Sequence, residues 1–252
     1  MNRDPAIVVR HLSVGYGGRE VLRDVSFEVR RGEIFMILGG SGSGKSTLLK
    51  TMIGLCPPLS GEILIDGRPA PRAGAFEDSG ILRAFGVMYQ SGALFGSLTL
   101  EENVSLPLEE STRLPRRARS LIARLKLQQV GLGDCAERLP SEISGGMQKR
   151  AAVARAMALD PRILFLDEPS SGLDPVTSGE LDDLVVSLRR DLGITFVIAS
   201  HDLASIRSIG DRAIVLDGGR IVAEGPPQML SEAKEPPFVR SFFRREAAVR
   251  AA

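Results

Sequence analysis

Gly39-Gly40-Ser41-Gly42-Ser43-Gly44-Lys45-Ser46 fills every fixed position of G-x-x-x-x-G-K-[ST], a spacing suited to gripping a polyphosphate. The glycines let successive backbone N–H groups turn inward without a Cβ in the way. Lys45 is then placed to reach the β- and γ-phosphates of a nucleotide, and Ser46 to ligate Mg²⁺. Thr47 opens a helical run over 47–53 and joins the phosphate-binding set, since a helix N-terminus adds positive potential. The apolar run 34–38 before the loop supplies the strand that this motif requires.

A second chemical feature ends another apolar run. Ile163-Leu164-Phe165-Leu166 leads straight into Asp167-Glu168-Pro169. That pattern predicts a buried strand whose carboxyl end meets a charged ligand, the end at which open α/β sheets bind. Asp167 suits Mg²⁺, which prefers few carboxylates together with phosphates and waters. Glu168 is the candidate general base for the water that attacks a γ-phosphate.

Short strands and turns must hold these groups. Runs 7–14, 25–29, 34–38 and 63–65 read as strands, separated by turn signals at 15–18, 31–32 and 66–67. From about residue 94 the pattern turns helical. Thr99 to Val104 reads as a helix start with Glu101 and Glu102 in its first turn, and 114–127 sets Leu121, Ile122 and Leu125 at helical spacing among arginines. Runs 163–166, 194–199 and 213–216 suit buried strands, with a helix over 180–190. The expected fold is α/β: a mainly parallel core sheet with an antiparallel β edge and a helical insertion over about 91–160. The whole of 1–252 forms one domain with a tail from about 236.

Composition removes several alternatives. With 32 Lys plus Arg against 31 Asp plus Glu, the net charge is +1, which gives no support to an electrostatic nucleic-acid binder. The cysteines Cys56 and Cys135 and the histidines His11 and His201 are too few and scattered for a metal cluster or disulfide framework. No secretory leader is read at the N-terminus, and no apolar run nears the roughly 18 residues needed to span a bilayer. A membrane role is expected to come through a partner.

Between the two chemical features lies Ile143-Ser144-Gly145-Gly146-Met147-Gln148-Lys149-Arg150. Ser144 is a good N-cap, and Gly145 and Gly146 let a phosphate approach the backbone at a helix start. This segment resembles the ABC signature, Leu-Ser-Gly-Gly-Gln, and the remaining ABC elements follow in order. Tyr16 resembles the aromatic that stacks on adenine. Gln90, after the strand-like 85–89, resembles the glutamine that contacts Mg²⁺ and the attacking water. Ser171-Gly172-Leu173-Asp174 resembles the D-loop, with Asp174 at the dimer interface, and His201 resembles the switch histidine near the γ-phosphate. The resemblance covers nearly the whole chain. It implies an ATP hydrolase using ATP and Mg²⁺, in a head-to-tail homodimer whose signature meets the ATP held by the other copy.

A finer resemblance is to the ATPases of the Mla phospholipid-trafficking system. It rests on Gln90-Ser91-Gly92-Ala93-Leu94-Phe95 with Asn103-Val104 and Pro107-Leu108, and on Ser144 to Met147 with Lys149-Arg150-Ala151-Ala152. Met147 replaces the usual signature glutamine, and Gly40 stands where relatives often carry proline. Asp174-Pro175 and residues 237–243 are also similar. This resemblance implies an integral-membrane permease, an MCE-domain lipid-binding protein and a STAS-type small subunit as partners, at the cytoplasmic face of a bacterial inner membrane. The segment after Gln90 would receive the permease. An importer of small polar solutes, such as amino acids, is the competing expectation. The basic stretch 113–126 is expected to be a solvated helix face, and Phe238, Phe242 and Phe243 either clasp a partner or pack on their own chain.

Overall fold

The computed structural model describes residues 4–17, 19–71, 81, 83–232 and 236–249. Gly18 of the expected first turn and the last residues of the expected tail lie outside them.

A six-stranded sheet organises the chain, in the order β10 (Arg220–Gly225), β9 (Arg212–Asp217), β3 (Ile34–Gly39), β8 (Thr195–Ala199), β7 (Ile163–Asp167) and β6 (Phe85–Met88). Its five strands β9 to β6 run parallel, and β10 returns antiparallel as a hairpin partner of β9. Every residue of β3, β7 and β8 is buried, as parallel strands covered on both faces require, so these strands are continuous apolar runs.

Alternation along β3 divides the core in two. Ile34, Met36 and Leu38 face one hydrophobic cluster with most of the helices; Phe35 and Ile37 face the other, with Leu48, Leu49 and Met52 and the second sheet. That second sheet is antiparallel, ordered β2 (Arg19–Val29), β1 (Ile7–Tyr16), β4 (Ser60–Ile65), β5 (Arg68–Pro69). The turn expected over 15–18 is shorter than the sequence suggests. Tyr16 still belongs to β1 and pairs with Arg19, because Gly17, at φ 55°, lets the chain turn back within two residues.

The helices follow the strands in chain order. α1 (Lys45–Met52) follows the phosphate loop. α2 (Leu100–Ser111), α3 (Arg116–Gln129) and α4 (Gly145–Ala156) pack on one another beyond β6. α5 (Pro175–Leu192) and α6 (Leu203–Ile209) follow β7 and β8. α7 (Pro227–Glu232) and α8 (Pro237–Val249) close the chain.

α2 starts at a complete capping box. The Thr99 hydroxyl accepts from Glu102 N at 3.2 Å, and the Glu102 carboxylate accepts from Thr99 N at 2.8 Å. Buried Asn103 fastens the preceding loop, donating to the carbonyls of Phe95, Leu98 and Thr99 while accepting from Phe95 N.

α3 forms where the helical spacing places it. Leu121 and Leu125 point outward, 63% and 52% exposed, while Ala123, Lys126 and Leu127 are buried. Lys126 is buried because it reaches across to Asp160, whereas the arginines of α3 lie on solvated or half-buried faces. The C-terminal aromatics pack on their own chain: Phe243 is buried beneath Arg207, and Phe238 and Phe242 lie against the helical core.

Candidate active site

The phosphate loop runs from the end of β3 into α1, and its conformation demands glycine at defined points. Gly39 has φ 154°, and a Cβ there would fall 2.4 Å from Ser43 Oγ and 2.6 Å from the Leu216 carbonyl. Gly44, the residue before α1, has φ 102°, and a Cβ there would press on Leu22 at 2.7 Å. The loop therefore fits against β9 and β2 only because both positions lack side chains.

Lys45 is buried at the first position of α1 and folds back over the loop. Its Nζ donates to the carbonyls of Gly39 at 2.9 Å and Gly40 at 3.2 Å, and lies 3.6 Å from Glu168 Oε1. Ser46 Oγ donates to Asp167 Oδ1 at 3.0 Å. That pair offers two hard oxygen donors side by side beside a phosphate loop, a donor set that fits Mg²⁺ and leaves room for phosphate and water oxygens. Burial, followed by the field of Glu168, holds the Asp167 carboxyl above the ordinary aspartate range, against the opposing pull of Ser46 and the lysines. A cation at this point would reverse that shift.

Glu168 adopts φ 48°, a left-handed conformation unfavourable for a residue with a side chain. Its N–H donates to the Ala199 carbonyl of β8 at 2.8 Å, and its own carbonyl accepts from Ser171 N at 3.1 Å, which fixes the turn leaving β7. The turn aims the carboxylate between Lys45 and His201, and His201 Nδ1 lies 2.7 Å from Glu168 Oε2. His201 is exposed, at the loop leaving β8. Gln90, just after β6, donates from Nε2 to Ser171 Oγ at 3.1 Å.

Gly40, Ser41, Gly42, Lys45, Ser46, Gln90, Glu168 and His201 thus line one cleft of about 520 Å³, within the usual range for a small-molecule site. Leu203 and Phe242 complete its wall. Phe242 was not legible as a cleft residue, because its sequence neighbourhood carries only an aromatic cluster. All the polar groups sit at the carboxyl ends of parallel strands, where a bound phosphate chain meets the loop amides, an ammonium group and two carboxylates.

Four expected site groups stand apart from this cleft. Tyr16 is half exposed on β1, its hydroxyl against Thr47 and Cys56. Ser144 caps α4, accepting from Met147 N at 3.3 Å, and a Cβ on Gly146 would come 2.3 Å from the Thr177 methyl of α5. Asp174 caps α5, accepting from Val176 N and Thr177 N at 3.0 and 3.1 Å. The signature segment and Asp174 line no part of the cleft that holds the phosphate loop in the same chain.

The ABC transporter family model matches residues 22–171, which include the phosphate loop, the signature segment and the acidic strand end. The chain belongs to the ABC transporter family.

This ABC ATPase is 42% identical over 235 residues to the intermembrane phospholipid transport system ATP-binding protein MlaF of Escherichia coli, covering 93% of this chain and 87% of that one. It is 41% identical over 238 residues to the probable ribonucleotide transport ATP-binding protein mkl of Mycobacterium leprae, covering 94% and 68%. Among solved structures, cbiO1 of Clostridium perfringens, part of an ABC transporter complex, superposes with a TM-score of 0.83 at 31% identity, covering 92% of each chain. A dimeric ATP-binding cassette in a post-hydrolysis state with ADP and phosphate superposes with a TM-score of 0.75 at 30% identity, over 88% of this chain and 98% of that one. The chain is accordingly an ATP-hydrolysing ABC subunit, a class that works as dimers with membrane permeases. Among the described residues no helix is long and apolar enough to cross a membrane.

Proposed function

We propose that this ATPase powers phospholipid traffic between the inner and outer membranes of a Gram-negative cell, from the cytoplasmic face of the inner membrane. The observation that carries the reading is the 42% identity to a phospholipid-transport ATPase over nearly the full chain. It is supported by the Gln90–Phe95 and Asn103 segments, which together build the loop at the foot of the helical lobe. Its partners are a second copy, an integral-membrane permease, an MCE-domain lipid-binding protein and a STAS-type small subunit, with no nucleic acid.

In the mechanism, the loop amides and Lys45 hold the β- and γ-phosphates of ATP, and Tyr16 stacks on the adenine. Ser46 and Asp167, with Gln90, would hold Mg²⁺, which would neutralise charge on the phosphates. Glu168 takes the proton of the attacking water, and His201, hydrogen-bonded to that carboxylate, faces the γ-phosphate. Ser144, Gly145, Gly146 and Asp174 close on the ATP of the other copy, which accounts for their separation from the cleft of their own chain. Binding favours the closed dimer, and loss of the γ-phosphate contacts on hydrolysis reopens it.

The relative named for ribonucleotide transport, at 41% identity, favours a polar-solute importer as the second reading. A tagged purification from membranes in mild detergent, with mass spectrometry of proteins and lipids, separates the two. An MCE-domain protein, a permease and bound phospholipid are the expected yield. A polar-solute permease without lipid would discard the lipid reading and leave the ATPase intact.

A further inference from the structure

His201 is exposed and sits on a turn of few residues, yet its imidazole lies on Glu168 at hydrogen-bond distance. Something must hold that turn, and the adjacent Asp202 has the contacts to do so. Its N–H donates to Ser200 Oγ at 3.0 Å, and Ser200 N donates in turn to the Ile37 carbonyl of β3 at 3.1 Å. Its Oδ1 accepts from Ala204 N at 3.0 Å and Ser205 N at 3.5 Å, capping α6. Its Oδ2 accepts from two hydroxyls, Ser205 at 3.1 Å and Ser178 at 3.2 Å. Ser205 and Ser178 are both buried, so these hydroxyls have little water to turn to.

Ser178 is the contact that reaches beyond a local cap. It lies in the first turn of α5, and its N–H bonds the Asp174 carbonyl at 2.9 Å. α5 begins directly after Ser171-Gly172-Leu173-Asp174, and Ser171 holds Gln90. One carboxylate thus joins the His201 turn to the first turn of α5, the helix that follows β7 and the Ser171–Asp174 loop. A cap alone needs only Oδ1; the second oxygen serves the inter-helix link.

We propose that Asp202 is a positioning residue for ATP hydrolysis, its carboxylate tying the His201 turn to α5 so that the imidazole stays on Glu168. The proposal rests on the role given to His201 above. Asp202→Ala frees the Ser178 hydroxyl and removes the cap, and the imidazole loses its fixed place. Asp202→Asn keeps an amide oxygen for the cap, and the Ser178 hydroxyl can turn round to accept from the amide N–H. Ser178→Ala removes the link alone and leaves the cap.

The test is single-turnover and steady-state ATP hydrolysis by the full chain, with thermal midpoints measured in parallel. Asp202→Ala is expected to lower kcat about 10- to 100-fold, the scale for a displaced catalytic group, with KM for ATP little changed. Asp202→Asn is expected to restore most of that loss, and Ser178→Ala to reproduce part of it. The deciding measurement is Asp202→Ala in a His201→Ala background, where a positioning residue has nothing left to position and further loss should be below about twofold. The same fold loss in both backgrounds, or wild-type kcat in Asp202→Ala, would overturn the proposal. A His201→Ala variant that keeps wild-type kcat would remove the role of His201 itself, and the positioning role with it.

Discussion

Glu168 is a carboxylate held in a left-handed backbone conformation, between an ammonium group and an imidazole. Such a posture persists only where the surrounding structure over-determines it, here through its backbone bonds to β8 and Ser171. Glu168→Gln keeps the shape and removes the proton acceptor. Turnover should fall roughly 10²- to 10⁴-fold, the scale of a lost general base, and ATP should trap a dimer visible by light scattering. A variant hydrolysing at the wild-type rate would refute the role. Asp182 on α5 gives a prediction of a different kind. Burial first, then the nearby charges of Asp202 and Asp183, push its carboxyl from 3.8 up to about 6, against a hydrogen bond from Ser205. The folded chain therefore binds that proton more tightly than the unfolded chain, so ionisation costs stability. The cost is absent below about pH 4 and is fully present above pH 6. Asp182→Asn should raise the thermal midpoint at pH 8 by about 2 to 4 °C, the shift for ~1 kcal/mol in a domain of this size. The gain should shrink toward pH 4. Equal gains at both pH values would contradict the assignment.

At the scale of elements, α4 does more than present the signature. Arg155 near its end donates to the carbonyls of Gly92 at 2.8 Å and Ala93 at 2.7 Å, and Lys149 donates to the Gln90 carbonyl. Ala93 has φ 49° and Gly92 φ 72°, so these cations hold a loop segment away from its relaxed conformation. Burial pushes both cations below their usual range, which matches bonds to carbonyls in place of water. Arg155→Met should loosen the loop at a cost of about 1.5–3 kcal/mol, the range for hydrogen bonds to a charged group. Hydrogen exchange at 90–95 should rise, while exchange in β3 and β7 stays unchanged. Unaltered protection at 90–95 would show that the clamp is idle. The residue types of this clamp were visible in the sequence but its purpose was not, because a lysine and an arginine in a helix of small residues read equally well as solvated charges. At α3 the apolar spacing of Leu121, Ile122 and Leu125 does mark a helix, and Leu121 and Leu125 lie on its exposed face.

Across the whole molecule, the two halves of the expected ATP site lie apart in one chain: the cleft carries the phosphate loop, and the signature faces elsewhere. The segment that would receive the permease is also set out. Phe95 is 56% exposed, while Leu94 packs partly against the helical cluster. Phe95→Asp should therefore leave folding and basal hydrolysis near wild type and uncouple hydrolysis from lipid transfer in a reconstituted transporter. Normal transport by that variant would remove the docking role. Leu94→Asp should instead cost stability as well, since it places a charge against apolar neighbours.

The sequence by itself determined the phosphate loop, the acidic strand end, the signature and the strand pattern that carries them. Each is a local run in which backbone freedom, capping or apolar continuity leaves few options. It also marked the buried strands, since continuous apolar runs suit strands covered on both faces, while their parallel direction is read from the pairing of β3, β6, β7, β8 and β9. Only the tertiary structure decided which distant groups meet: His201 on Glu168, Gln90 on Ser171, Asp202 on Ser178, Phe242 at the cleft wall. Those meetings depend on strand order and loop closure. A hydroxyl or an imidazole carries no local mark of the partner it will find once the sheet has brought the strand ends together.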